Sequence, residues 1–526
     1  MTDPSQRTST RAHSVAVASG ILLSRLIGLV RERVFAHYFG TSDAAGAFRA
    51  AFRIPNFLQN LFGEGVLSAS FIPVYARLNA EERHKEATQL AEAIFAALFL
   101  VTSILVVFGV FATPLLIDLI APGFQGETRR LTIQLVQILF PGAALLVLSA
   151  WCLGILNSHR KFFLSYAAPV VWNIAMIATL LWGGRHHSEA HLAIYLAIGS
   201  VVGSGLQFAV QLPSVMRFLW PMGLRLNFMG EHVRTVAKNF FPVFVGRGVV
   251  QISAYVDAWL ASYLGAAAVA ALAYAQTLYT LPVSLFGMAV SAAELPAMSS
   301  EIGTREQVAS ALRQRLTAGL QQIAYFVIPS AVAFVLLGDV IVATIYRTGR
   351  FGHDQVIFVW AVLAGSAVGL LASTSGRLYS SAFYALRNTR TPLKFATVRV
   401  VLTLALGYLF ALPIPRMLGL DHRWGTAGLT VSAGIASWLE FLLLRRSMHR
   451  EIGAVAPGQS RIARLWLAAL VSALTAYAIK RVLPFHAALL VGPCVLLPYC
   501  AFYLGITQAM GIAPTGTLRR IFKRGR

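Results

Sequence analysis

Ser24-Arg25-Leu26-Ile27-Gly28-Leu29-Val30-Arg31-Glu32 begins a stretch that continues through Phe39-Gly40-Thr41 and Ala51-Phe52-Arg53-Ile54-Pro55-Asn56. It ends in Phe62-Gly63-Glu64-Gly65-Val66-Leu67-Ser68-Ala69-Ser70-Phe71-Ile72-Pro73. The apolar runs here, 14–39 and 47–78, are both longer than the about 20 residues a spanning helix needs, yet arginines stand inside them. The first run has no convincing cleavage site after it. It is expected to be retained as a spanning helix, not removed as a signal peptide.

The rest of the chain extends this reading. Of 526 residues, 57% are hydrophobic and 12% charged, and mean hydropathy is +0.67. Soluble domains carry about 25% charged residues. Half that density over a whole chain leaves too little polar surface to face water, so the exterior is expected to face lipid. Cys152, Cys494 and Cys500 lie in apolar segments without metal-ligand spacing and read as small packed side chains. The twelve histidines form no HExxH pattern, and His186 and His187 fall in a loop. A formal charge of +23 raises nucleic acid as a partner, but the charges punctuate the apolar segments and form no basic stripe interleaved with aromatics.

Apolar runs bounded by charges, Gly and Pro fall near 14–39, 47–78, 87–112, 131–156, 162–182, 190–216, 236–263, 266–293, 310–337, 356–385, 395–413, 425–444, 463–482 and 486–507. Two shorter pieces, 114–122 and 339–346, read as separate interfacial segments. With the amino terminus inside and alternating loops, about 27 Lys and Arg fall inside and 9 outside. An all-α polytopic membrane protein of about fourteen transmembrane helices, both ends cytoplasmic, is the expected fold. A weak repeat supports two lobes. Ile54-Pro55 and Phe71-Ile72-Pro73 are echoed by Leu281-Pro282 and Glu294-Leu295-Pro296. Pro122-Gly123-Phe124 is echoed by Gly349-Arg350-Phe351, and Asn157 before Arg160-Lys161 by Asn388 before Arg390, all about 223–231 residues apart. This organisation predicts a six-helix lobe over 1–220, a parallel second lobe over 221–450, and two further helices with a basic tail over 451–526.

Eight basic residues stay within the predicted helices: Arg25, Arg31, Arg33, Arg49, Arg53, Arg247, Arg377 and Arg399. Each costs roughly 2.5–3.5 kcal/mol at a helix centre. Snorkelling accounts for Arg33, Arg399 and, less well, Arg49. It does not fit Arg25, about 16 Å into its helix at 1.5 Å per residue. Arg49 and Arg53, spaced i,i+4, share a face, and Pro55 is expected to kink or loosen the helix beside them. Glu64 falls at a depth similar to Arg25 and is expected to pair with it. The surplus arginines predict a cationic cavity for an anionic amphiphile such as a polyprenyl pyrophosphate, since guanidinium binds phosphate bidentately. Asp257 reads either as an ion or proton site or as a partner for Arg247 or a neighbouring helix. Glu294 and Glu440 are the other embedded acids singled out. The tail Arg519–Arg526 reads as lying on anionic headgroups or as a plain topology signal.

The quoted stretch 24–73 resembles the amino-terminal signature of the MviN/MurJ flippases. Gly154-Ile155-Leu156-Asn157, Pro169…Asn173, Val256-Asp257 and Leu281-Pro282…Leu295-Pro296 are similar to later family segments. The resemblance implies two six-helix lobes, two further helices forming a groove for a lipid tail, and alternating access. It implies movement of lipid II across the inner membrane for peptidoglycan synthesis, without catalysis or a cofactor. Arg25 and Arg31 match family arginines. Family members commonly carry arginine where this chain has Gln59 and Thr277, and Asp-Ala-Phe where it reads Gly46-Ala47-Phe48, so Arg49 and Arg53 are the residues left to complete a pyrophosphate clamp. A lipid-linked precursor flippase therefore leads. Another polyprenyl-pyrophosphate-linked glycan is the alternative cargo. A cation-coupled drug antiporter would want acids in the cavity, and an enzyme on polyprenyl phosphates would want clustered aspartates or a P-loop, neither of which the sequence contains.

Overall fold

The computed structural model describes residues 4–221, 223, 230–301, 303–455, 458–484 and 487–513; among helical residues, the side chains of 4–18, Ile21, Glu64 and 245–254 lie outside that description. The basic tail 519–526 and the Arg247 side chain therefore fall outside it too. The described residues are almost wholly helical, and they divide into two compact units: Met1–Ala266 with Thr348–Arg350, and Ala267–Arg347 with Phe351–Arg526.

The first unit contains α1 (Pro4–Phe39), α2 (Asp43–Phe62), α3 (Glu64–Ser70), α4 (Ile72–Ala80), α5 (His84–Ile120), α6 (Gly126–Ser158), α7 (Phe162–Gly183), α8 (Glu189–Leu219) and α9 (Glu231–Ser262). Here α6 packs against α2, α5 and α8, α7 packs against α1 and α8, and α9 lies against α2, α3 and α5. The second unit contains α10 (Ala266–Pro282), a π-helical turn Val283–Met288, α11 (Ala289–Ser299), α12 (Arg305–Leu336), α13 (Gly338–Tyr346), α14 (His353–Ala367) and α15 (Leu370–Ala385). It continues with α16 (Arg390–Ala411), α17 (Pro413–Met417), α18 (Gly425–Ile452), α19 (Gln459–Val482) and α20 (Ala488–Ala509). Helix starts follow local chemistry. Ser42 and Ser188 cap α2 and α8, and Thr304 with Gln307 forms a capping box on α12.

Among the described residues, ten helices are long and apolar enough to cross a membrane, eleven when α14 and α15, bent by 42°, count as one span. The remaining expected spans, 14–39, 47–78 and 236–263, fold as α1, α2–α4 and α9, and these are the segments that carry Arg25, Arg31, Arg49, Arg53 and Asp257. The chain is an all-α polytopic membrane protein of about fourteen transmembrane segments. Exposed Phe108, Phe111, Leu115, Trp182 and Leu497 mark a surface that suits hydrocarbon, not water.

Three expectations need correction. The helix expected at 47–78 runs through Pro55 and breaks instead at Gly63, where a Cβ would sit 2.2 Å from the Gln59 carbonyl oxygen. The piece at 114–122 is not a separate segment but the end of α5, which continues through Pro114. Proline frees the carbonyl four residues back, and the Gln137 side-chain amide donates to that oxygen, Val110 O, at 3.2 Å. Cys152 is buried as expected, but Cys494 and Cys500 are exposed on α20.

The same carbonyl rescue recurs in α12. Pro329 frees Tyr325 O, which accepts a hydrogen bond from Tyr503 Oη of α20 at 2.6 Å, while Tyr499 Oη donates to Pro329 O at 2.7 Å. These contacts, with Leu465, Ala469 and Ala473, lock the last two helices onto α12.

Two helix ends close with arginine in an unusual backbone conformation. Arg160 (φ +58°) and Arg387 (φ +59°) both close helices in the left-handed conformation. Arg160 N–H donates to Asn157 O and Lys161 N–H to Leu156 O; Arg387 N–H donates to Tyr384 O and Asn388 N–H to Phe383 O. Each is a Schellman turn with arginine where glycine is usual.

Two expected outcomes concern this framework. Tyr503→Phe leaves Tyr325 O without its donor and should cost about 1–3 kcal/mol in thermal unfolding. The cost should shrink in a Pro329→Ala background, where a backbone N–H returns. Equal costs in both backgrounds would remove the carbonyl-rescue account. Gly434→Val should cost about 1–3 kcal/mol, because a Cβ there would lie 2.8 Å from Gly369 N where α18 crosses the α14–α15 bend; an unchanged melting temperature would contradict that crossing.

Candidate functional site

The first unit gathers two of the expected arginines, Arg31 and Arg49, around one carboxylate. Glu32 follows Arg31 on α1, and its carboxylate accepts from Arg31 Nη2 at 2.7 Å and from Arg49 Nη1 of α2 at 3.2 Å, with Arg49 Nη2 on its other oxygen. The Glu32 side chain is only 6% exposed. Two guanidiniums share this one buried carboxylate. Aromatic faces line it: Arg31 stands 4.8 Å from the Trp172 ring centroid and Arg49 4.3 Å from that of Phe35. Such faces stabilise a cation without neutralising it.

Arg53 sits one turn further along α2. Its Nη1 is buried with no hydrogen-bond partner among the described residues. The Tyr255 ring of α9 lies 5.9 Å from its guanidinium, and Tyr255 Oη donates to the Arg53 carbonyl at 2.9 Å. Asp257, two residues on, acts on the same guanidinium electrostatically. A buried guanidinium N–H lacking an acceptor is a ready position for an anionic oxygen.

Arg25 is exposed, about 9 Å back along α1 from Arg31 at 1.5 Å per residue. The Glu64 side chain, and with it the expected Arg25–Glu64 pair, lies outside the described residues. Arg49 and Arg399 do not simply snorkel. Arg49 is held by Glu32, and Arg399 Nε of α16 meets Glu440 of α18 at 2.9 Å in the second unit. Glu294 lies 3.6 Å from Arg315. Sequence reasoning assigned no role to Glu32, Trp172 or Tyr255. An acid set between Arg31 and Arg33 in a spanning segment was a usable signal for Glu32, because embedded carboxylates are kept only where a partner exists. Nothing local distinguishes Trp172 or Tyr255 from packed aromatics.

A bundle of about fourteen spans that shelters arginines on its own carboxylates and rings defines a multi-pass membrane transport protein. Comparison with known proteins supplies the particular kind. A family model described as "Lipid II flippase MurJ" matches residues 35–495. The lipid II flippase MurJ of Burkholderia cenocepacia is 30% identical over 514 residues, covering 94% of this chain and 96% of that one. The probable lipid II flippase MurJ of Rhizobium meliloti is 28% identical over 527 residues, covering 97% and 95%. A solved structure of lipid II flippase MurJ in an inward closed conformation superposes with a TM-score of 0.75 at 25% identity, covering 94% of this chain and 99% of that one. An inward-facing multidrug resistance transporter of the MATE family shares the fold alone, with a TM-score of 0.62 at 17% identity over 83% of this chain and 98% of that one. The chain belongs to the lipid II flippase MurJ family, a family of multi-pass proteins of the bacterial inner membrane.

The carboxylate at the centre is testable on its own. Glu32→Gln removes the shared counterion of Arg31 and Arg49 and should cost about 3–5 kcal/mol in unfolding free energy, as breaking buried pairs does. Glu32→Asp should cost much less. Gel-filtration monodispersity on heating compares the two, and equal tolerance of both would mean that the arginines do not depend on this carboxylate.

Proposed function

We propose that this chain moves lipid II from the cytoplasmic to the outer leaflet of the inner membrane by alternating access, without catalysing a reaction. The observation that carries the proposal is the buried cluster of arginines in the first unit: Arg31 and Arg49 on Glu32, with Arg53 Nη1 lacking an acceptor among the described residues. A pyrophosphate supplies the anionic oxygens such a cluster can take, and it does so beside aromatic walls that exclude water. Arg25, exposed further along α1, is the residue that would first meet the charged headgroup. Glu64 and Asp257 complete the proposed site by setting how much positive charge stays available. The lobes 1–220 and 221–450 are proposed to alternate about the cargo, and the helices over 451–526 to receive the lipid tail.

The bias of loop charges supports a proposed orientation with both termini in the cytoplasm. The basic tail would then lie against anionic headgroups, and nucleic acid has no part in the function. Another polyprenyl-pyrophosphate-linked glycan would present the same phosphates to the same arginines, so cargo identity is read by the assay.

The test is rescue of growth and lipid II translocation in a bacterium depleted of its own flippase, with membrane levels of each protein measured. Wild type should rescue, and Arg31→Ala and Arg53→Ala should each lose at least about tenfold in translocation, the scale of one lost charged hydrogen bond. A well-expressed wild type that fails to rescue would redirect the function to another lipid-linked glycan. Rescue that survives both substitutions would remove these arginines from the site.

A further inference from the structure

Beyond the arginine cluster, the first unit encloses a second chamber of different chemistry. A cavity of about 350 Å³ lies among α2, α3, α6, α7 and α8. Its polar lining comes from Gln59, Asn60, Ser68, Ser149, Gln207 and Gln211, amides and hydroxyls. Small-molecule sites typically measure about 300–1,000 Å³, so the chamber is large enough for part of a ligand.

The polar wall is built with care. Gln207 and Gln211 share a face of α8 at i,i+4. Both side-chain amides donate to Ser149 Oγ of α6, at 2.9 and 2.6 Å, and Gln211 Nε2 also reaches Gln207 O at 3.1 Å. The donors of Gln211 are thereby engaged. Its carbonyl oxygen, on a residue only 1% exposed, is buried and has no hydrogen-bond donor among the described residues. A buried acceptor without a donor costs about 1–3 kcal/mol, and a ligand N–H or O–H would relieve it.

The lining selects the class of ligand. Among the described residues it holds neither the carboxylates a cation would want nor the guanidiniums an anion would want, and its amides and hydroxyls do not suit a hydrocarbon. What remains is a neutral group rich in hydroxyl and amide hydrogen bonds. Position selects further. Gln59 follows Arg53 by six residues on the same helix, about 9 Å at 1.5 Å per residue. Between them Phe52, Pro55, Asn56 and Gln59 line a small cleft that also touches Ser200 and Ser204.

We infer that this chamber is a subsite for the neutral, N-acetylated sugar or peptide part of the cargo headgroup, adjoining the pyrophosphate held at Arg31, Arg49 and Arg53. The inference rests on the flippase reading. It assigns selectivity among polyprenyl pyrophosphates to Gln211 and its neighbours, while the arginines supply affinity common to all of them.

The experiment measures binding of two lipids to purified full-length protein in nanodiscs: lipid II, and the polyprenyl pyrophosphate that lacks sugar and peptide. Wild type should prefer lipid II, and Gln211→Leu and Asn60→Leu should each reduce that preference about tenfold, the scale of one polar contact. Affinity for the bare pyrophosphate should stay unchanged in both, and this serves as the control for folding. Arg53→Ala should weaken both lipids alike. Preference retained in both Gln211→Leu and Asn60→Leu would overturn the subsite and leave the flippase reading standing. A wild type that binds neither lipid would overturn the flippase reading, and the subsite with it.

Discussion

Glu32 holds two guanidinium groups at once, and the first unit is arranged around that contact. Without a nearby carboxylate, Arg31 and Arg49 would each carry a desolvation cost that the apolar helices around them cannot offset. With it, α1 and α2 are joined by a bidentate pair, and α1 is set against α7 with Trp172 under Arg31. Among the described residues, one carboxylate serves both arginines and keeps the two helices together. Arg53 extends the gradient, its guanidinium shared between the Tyr255 ring and the field of Asp257.

Much of this architecture was legible in the sequence because a bilayer permits so few solutions. Long apolar runs must be helical, so all the expected spans are found as helices, including those over 14–39 and 236–263 that carry arginine and aspartate. The concentration of arginines in α1 and α2 likewise located the candidate site. What the sequence hid depends on contacts between distant segments. The separate piece expected at 114–122 is instead the end of α5, because the fate of a proline depends on whether another helix supplies its lost hydrogen bond. Gln137 does this for Pro114, and nothing near residue 114 announces it. The break in the span expected at 47–78 falls at Gly63, whose lack of a side chain allows the close approach to Gln59.

Arginine–carboxylate pairing required the same long-range knowledge. Arg399 looked like a residue reaching for an interface, yet Glu440 is its partner across α16 and α18. Helix ends follow a more local rule. The left-handed arginines at 160 and 387 close their helices with the same hydrogen-bond pattern, although the residues around them differ, because geometry at a helix end is constrained by the unsatisfied carbonyls it must cap.

The two rescued carbonyls also set a timetable for synthesis. Val110 O gains its donor from Gln137 only 27 residues later, within roughly 1–5 s of elongation at about 5–20 residues per second. Tyr325 O waits for Tyr503, 178 residues downstream, or roughly 9–36 s. Through that interval α12 must rest in the bilayer or the insertion machinery with an exposed polar defect at its proline. The early unit can therefore mature while the ribosome is still translating, whereas the late one stays vulnerable to quality-control proteases until its final helix has been released.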